Sequence, residues 1–167
     1  MQVYTIGHST RSLEEFIEIL KKFQIQLVVD VRKFPTSKKF PWFSKESLEK
    51  ELKGVGAEYL HFPELGGYRE GGYEAFSKTE EFSKALEKLI ELINGKKVAI
   101  MCSERWWWRC HRRYISNALA EKRIEVTHIL DAAITQEHKL REKEIEEKMK
   151  LKIWCDKKSI KHKNNCG

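Results

Sequence analysis

No stretch of this chain approaches the roughly 18 consecutive apolar residues needed to span a bilayer, so the sequence predicts no membrane segment. Val3-Tyr4-Thr5-Ile6 begins a strand-like run at once, without the charged start, apolar stretch and small-residue cleavage site of a secretory leader. Four cysteines in 167 residues are too few for a disulfide scaffold. Together these scarcities predict a soluble protein of the reducing cytoplasm. Internal repeats and low-complexity tracts are absent as well. Charge of one sign is modest. Of the net +7, residues 135–167 contribute ten Lys/Arg against six Asp/Glu, which leaves the body at +3. An undirected excess of that size reads as solubilising charge rather than as an electrostatic footprint.

What is abundant is apolar and aromatic material: 41% hydrophobic residues with five Trp and eight Phe, enough to build one ordinary domain. Five β-like runs, at Val3–Ile6, Gln26–Val31, Glu58–Phe62, Lys97–Cys102 and Glu125–Leu130, alternate with amphipathic stretches. Ser12-Leu13-Glu14-Glu15 reads as a capping box, followed by an apolar stripe of Leu13, Phe16, Ile17, Leu20 and Phe23. Further helices are expected over Lys45–Lys53, closed by Gly54, over Thr79–Ile93, and from near Cys110. Helix-linked strands are most simply parallel, so the expected fold is an α/β, three-layer α/β/α sandwich with a mainly parallel sheet of about five strands. The domain is placed at 1–133. A charged C-terminal helix, about Thr135 to Ile153, occupies 134–156, and 157–167 is expected to be a disordered tail.

In open α/β sheets ligands bind beyond the carboxyl ends of the strands. This sequence places Gly7-His8-Ser9 after the first strand, Asp30 and Arg32 at the end of the second, Leu65-Gly66-Gly67 after the third, and Cys102-Ser103-Glu104 at the end of the fourth. The densest segment runs from Cys102 through Arg105, Trp106-Trp107-Trp108, Arg109, Cys110, His111 and Arg112 into a helix, whose start favours anions and thiolates. Taken in order, these four motifs resemble the DUF488 family over about residues 1 to 130. The resemblance implies that they belong together in one compact α/β protein, and it supplies no substrate, because the family is defined as of unknown function. The Trp triplet departs from the polar loop expected there. The strand, Cys and Arg-rich loop also resemble the phosphate loop of cysteine phosphatases, but Arg109 follows Cys102 by seven residues, one too many.

The chemistry expected is that of an enzyme acting on a phosphate-bearing, base-containing substrate, a nucleotide or a nucleic acid. Cys102 would be the nucleophile or redox thiol, with Glu104, His8, His111, Cys110 and Asp30 as further catalytic candidates. Arg32, Arg105, Arg109 and Arg112 would hold the anion, aided by Ser9, Gly66 and Gly67, and Trp107 would stack on the base. Hydrolysis, transfer and thiol chemistry all remain open, and a non-catalytic nucleic-acid-binding module is the alternative. No cofactor is expected. A metal at Cys102, Cys110 and His111 is disfavoured because adjacent residues on a helix point about 100° apart. An exposed Trp and the terminal helix are compatible with a homodimer.

Overall fold

In the computed structural model, which describes residues 1–162, alternate strand residues supply two apolar faces and helices cover both. The strands are β1 (Gln2–Gly7), β2 (Leu27–Asp30), β3 (Glu58–His61), β4 (Val98–Cys102), β5 (Glu125–Asp131) and β6 (Ile134–Glu137). They form one sheet in the order β3-β2-β4-β1-β5-β6, parallel except for β6, which runs antiparallel to β5. The helices are α1 (Leu13–Lys22), α2 (Lys45–Gly54), the short α3 (Tyr73–Phe76), α4 (Glu80–Ile93), α5 (Arg112–Glu121) and α6 (Glu142–His162).

Phe16, Ile17 and Leu20 of α1 with Leu48 and Leu52 of α2 meet Ile6, Val28, Ala99 and Met101 on one face. Phe82, Leu86 and Leu89 of α4 with Ile115 and Leu119 of α5 meet Val29, Val98, Ile100 and Cys102 on the other. Burying each such Leu, Ile or Phe contributes about 2 kcal/mol. The strict alternation along β4 has a functional outcome: Cys102 ends the strand on the α4/α5 side, beneath the start of α5.

Helix ends follow the chemistry read from the sequence with small changes. Ser12 accepts a hydrogen bond from the Glu15 amide at 3.1 Å. The carboxylate of Glu15 lies 3.7 Å from Arg11. At the end of α2 the left-handed residue is Gly56 (φ 78°), whereas Gly54 still belongs to the helix.

Two expectations at the C-terminus are corrected. Residues 134–137 form β6 and extend the sheet past the boundary at 133, because Thr127, His128 and Ile129 of β5 find partners in Glu137, Gln136 and Thr135. The terminal helix starts at Glu142 rather than near Thr135 and runs to His162, so 157–162 is helical and not a disordered tail. That longer run is rich in Glu and Lys, which favour helix without needing burial. The remainder of the expected tail, 163–167, lies outside the described residues. No helix among the described residues is long and apolar enough to cross a membrane.

Candidate active site

The parallel strands bring all four motifs to one edge, where they line two neighbouring cavities divided by Ser103 and Glu104. The first, of about 520 Å³, is walled by Cys102, Cys110, His111, Arg109, Lys33 and Tyr73, among others. The second, of about 530 Å³, is bordered by His8, Ser9, Lys38, Lys39, Arg105 and Trp106. Close contact between the β1 and β4 loops separates them: a Cβ on Gly7 would fall 1.8 Å from the carbonyl oxygen of Glu104, so only glycine fits.

The sulfurs of Cys102 and Cys110 are 2.6 Å apart. Cys102 is buried and Cys110 half-buried on the cavity wall. The hydrogen bond from Cys102, then His111 and Arg112, hold the Cys110 thiol well below its ordinary range. Burial pushes Cys102 up, and its hydrogen bond to Cys110 adds to that. Of the two, Cys110 is therefore the sulfur whose surroundings favour the thiolate. The Arg112 amide, at the start of α5, also points at the Cys110 sulfur from 3.5 Å. His111 directs Nε2 at the Val31 carbonyl, 2.7 Å away, which leaves Nδ1 facing the Cys110 sulfur at 3.6 Å.

Arg112 is the counter-charge. Its side chain is 1% exposed, and among the described residues no carboxylate lies within ion-pairing distance of it. It donates instead to Thr5 Oγ1 at 3.1 Å and to the Glu104 carbonyl, and its Nε has no partner. A buried guanidinium without a carboxylate is costly unless another anion balances it, and the thiol pair supplies that anion. Behind Thr5 a buried chain continues: Thr5 Oγ1 to His128 Nδ1 at 2.6 Å, His128 Nε2 to His138 Nδ1 at 2.8 Å, and His138 Nε2 to Asn117 Oδ1 at 2.7 Å.

Other expected site residues divide between the cavities and the scaffold. Asp30 is wholly buried and pairs with Arg32 at 2.7 Å while accepting from Tyr59. Arg32 also donates to the Phe43 carbonyl, so its guanidinium is committed to the fold, although the residue borders the first cavity. His8 stacks on Phe43 with ring centroids 4.3 Å apart, and burial lowers its pKa to about 4. Its Nε2 faces Arg32 at 3.4 Å, so it is a neutral ring on the edge of the second cavity rather than a neighbour of the thiols. Glu104 receives the Trp106 amide on its carboxylate and thereby shapes the loop between the cavities. Arg109 lies on the first cavity and Arg105 on the second. Gly66 packs against Lys33 backbone, and Gly67 against the His111 ring.

Trp107 does not form the stacking shelf expected of it. Its ring lies flat on His128 at 4.3 Å, its Nε1 donates to Gln136, and it borders neither cavity. Trp106 is stacked on Trp108 and lies under Arg105. The rings open to the first cavity are Phe34, 63% exposed, and Tyr68, 82% exposed, with centroids 6.1 Å apart. In the sequence Phe34 was passed over, although a lone Phe between Lys33 and Pro35, outside any periodic apolar run, was a signal it carried. Thr5, His128 and His138 carry no local signal, because the hydrogen bonds that join them form only when β1, β5 and α5 are assembled.

The match to a family model decides the kinship: the model for the domain of unknown function DUF488 covers residues 12–119. The chain belongs to the DUF488 family. The matched span carries Asp30, Arg32, Gly66, Gly67 and the whole Cys102–Arg112 segment, while the His8 loop of this DUF488 chain precedes it. No curated protein and no solved structure matches it.

The three donor atoms of Cys102, Cys110 and His111 all lie within 4.8 Å of one another. The directional objection from helix geometry does not apply, since Cys110 has extended backbone (φ −121°, ψ 155°) ahead of α5. Two sulfurs and an imidazole nitrogen so grouped are donors of the kind that zinc accepts.

Proposed function

We propose that this protein is a thiolate-dependent enzyme acting on an anionic, phosphate-bearing substrate that carries a flat ring, with Cys110 rather than Cys102 as the attacking sulfur. The observation that carries this reading is the Cys110 sulfur on the cavity wall, hydrogen-bonded by Cys102 and backed by a buried Arg112 that has no carboxylate. Lys33 and Arg109 on the same wall suit an anion. Phe34 and Tyr68 replace Trp107 as the surface for a base, since each keeps much of its ring in water. His111 Nδ1 is placed to accept or return a proton at the sulfur.

Site-resolved alkylation with iodoacetamide across pH 5 to 9 tests it. Cys110 is expected to react well below the ordinary thiol pKa of about 8.5, Cys102 to stay protected, and a nucleoside phosphate to slow the reaction at Cys110. A Cys110 rate that rises only near the ordinary thiol value would remove the nucleophile and with it the proposal. A second reading, binding of a nucleic-acid strand without chemistry, draws on Lys38, Lys39 and Arg105 around the second cavity and on the exposed Trp108. Under that reading single-strand affinity falls steeply with salt and survives Cys110→Ser.

A further inference from the structure

A nucleophile that works only by attack and release has no use for a second thiol touching it. Ser or Asn would hydrogen-bond the thiolate as well without the chance of a sulfur–sulfur bond. Here Cys102 is the direct partner, and the two sulfurs differ in each respect that divides an attacking thiol from a resolving one. Both residues line the first cavity, but Cys110 is half-buried there, whereas Cys102 is 2% exposed and packs into the core at the strand end. Burial opposes ionisation of Cys102, whereas Cys110 is held low by its hydrogen bonds and by Arg112.

We propose that Cys110 and Cys102 form a two-electron dithiol couple that reduces small anionic disulfides. The proposal rests on the Cys110 thiolate of the preceding section and adds a substrate class and a role for Cys102. The Cys110 thiolate attacks one sulfur of the disulfide R–S–S–R; a Cys110–S–S–R bond forms, the S–S bond of the substrate breaks, and RS⁻ leaves. The Cys102 thiol then passes its proton to His111 Nδ1, directly or through the vacated anion position, and its sulfur attacks Cys110. A Cys102–Cys110 bond forms, the S–S bond between Cys110 and the remaining RS group breaks, and that thiolate takes the proton back from His111 and leaves as RSH. The protein has lost two electrons and the substrate has gained them; an external dithiol reductant restores the starting state.

Arg112 makes the second step accessible. While Cys110 is a thiolate, its charge opposes ionisation of Cys102. Once Cys110 is tied up in the mixed disulfide that opposition vanishes, and the same buried guanidinium, already acting on both sulfurs, becomes the counter-charge of Cys102. The cation stays in place while the anion moves from one sulfur to its neighbour. Lys33 and Arg109 select a disulfide with anionic arms, since they border the cavity into which the leaving thiolate departs.

The experiment uses the full chain with Cys155→Ser and Cys166→Ser, so that only the pair can react, and the anionic reagent dithiobis(nitrobenzoate) beside neutral hydroxyethyl disulfide. The unaltered pair is expected to release both nitrothiobenzoate halves and to end as an intramolecular disulfide by intact mass. Cys102→Ser is expected to release one half only and to retain the other as a stable adduct on Cys110 by intact mass. Arg109→Ala is expected to slow the anionic reagent about tenfold at low salt and to leave the neutral one unchanged. If the unaltered pair also retains the adduct while Cys110 alkylates fast at low pH, Cys102 is not a resolving thiol and this inference fails with the thiolate enzyme intact. If Cys110 reacts with neither reagent, both readings fall together.

Discussion

At the scale of single residues the site depends on how burial and charge are matched. Arg112 is surrounded by oxygen acceptors and sulfur rather than by a carboxylate. Arg112→Lys keeps the charge but not the fork that serves Thr5 and Glu104 at once. Cys110 alkylation below neutral pH is then expected to slow about tenfold, the effect of a one-unit rise in thiol pKa, with a melting curve to confirm that the fold survives. His8 gives a pH signature of another kind. Its folded pKa, near 4, lies below the 6.5 of an unfolded imidazole. Its stability contribution is therefore complete above pH 6.5 and is lost as the unfolded state alone takes up the proton, down to about pH 4. The loss amounts to about 3 kcal/mol. His128, lowered to about 2 by burial and then by His138 and Arg112, acts with the same sign. Urea midpoints measured from pH 7 to 4 are expected to fall, and His8→Gln to flatten the slope.

At the scale of elements, the ends of β1 and β4 are as important as the strands themselves. Gly7 lets Glu104 backbone lie against it, and this contact separates the cavities. Gly7→Ala forces that loop outward and is expected to cost roughly 2 to 4 kcal/mol in a denaturant titration, in the manner of other overpacked sites. The same elements show where the sequence could be read and where it could not. The five parallel strands and the buried faces of α1 and α4 were legible because their apolar spacing is local and regular. β6 was not: Ile134–Glu137 is exposed throughout and is held by backbone pairing with β5, which leaves no mark in hydrophobic pattern. The gathering of Cys102, Cys110, His111 and Arg112 followed from their placement between a strand and a helix. Which sulfur is accessible did not, since that depends on α5 beginning at Arg112 and leaving Cys110 in extended backbone. Trp107 was misread for a similar reason, because its partner His128 lies on a strand distant in sequence.

At the scale of the molecule, the sheet carries both cavities at one edge and α6 at its end contributes little apolar burial. Met149, Leu151, Ile153 and Trp154 are each at least half exposed. A chain ending at Arg141 is therefore expected to melt within about 3 °C of the full chain and to keep Cys110 reactivity, whereas a fall of more than about 10 °C would mean that the helix is part of the folded unit. The chain from Arg112 to Asn117 runs along the α4/α5 face of the sheet, from beside the thiol pair past β1 and β5 and back to α5. With the Asn117 oxygen accepting, His138 donates from Nε2; a neutral His138 then takes the His128 Nε2 hydrogen on its Nδ1, and Thr5 gives its hydroxyl proton to His128 Nδ1. Every dipole then points its hydrogen away from Arg112 and its lone pair toward it, so the interior is polarised to receive a cation before any thiol ionises. Swapping the oxygen and nitrogen of one amide, 21 residues from His138, would reverse that polarisation as far as Thr5, where the guanidinium still only donates.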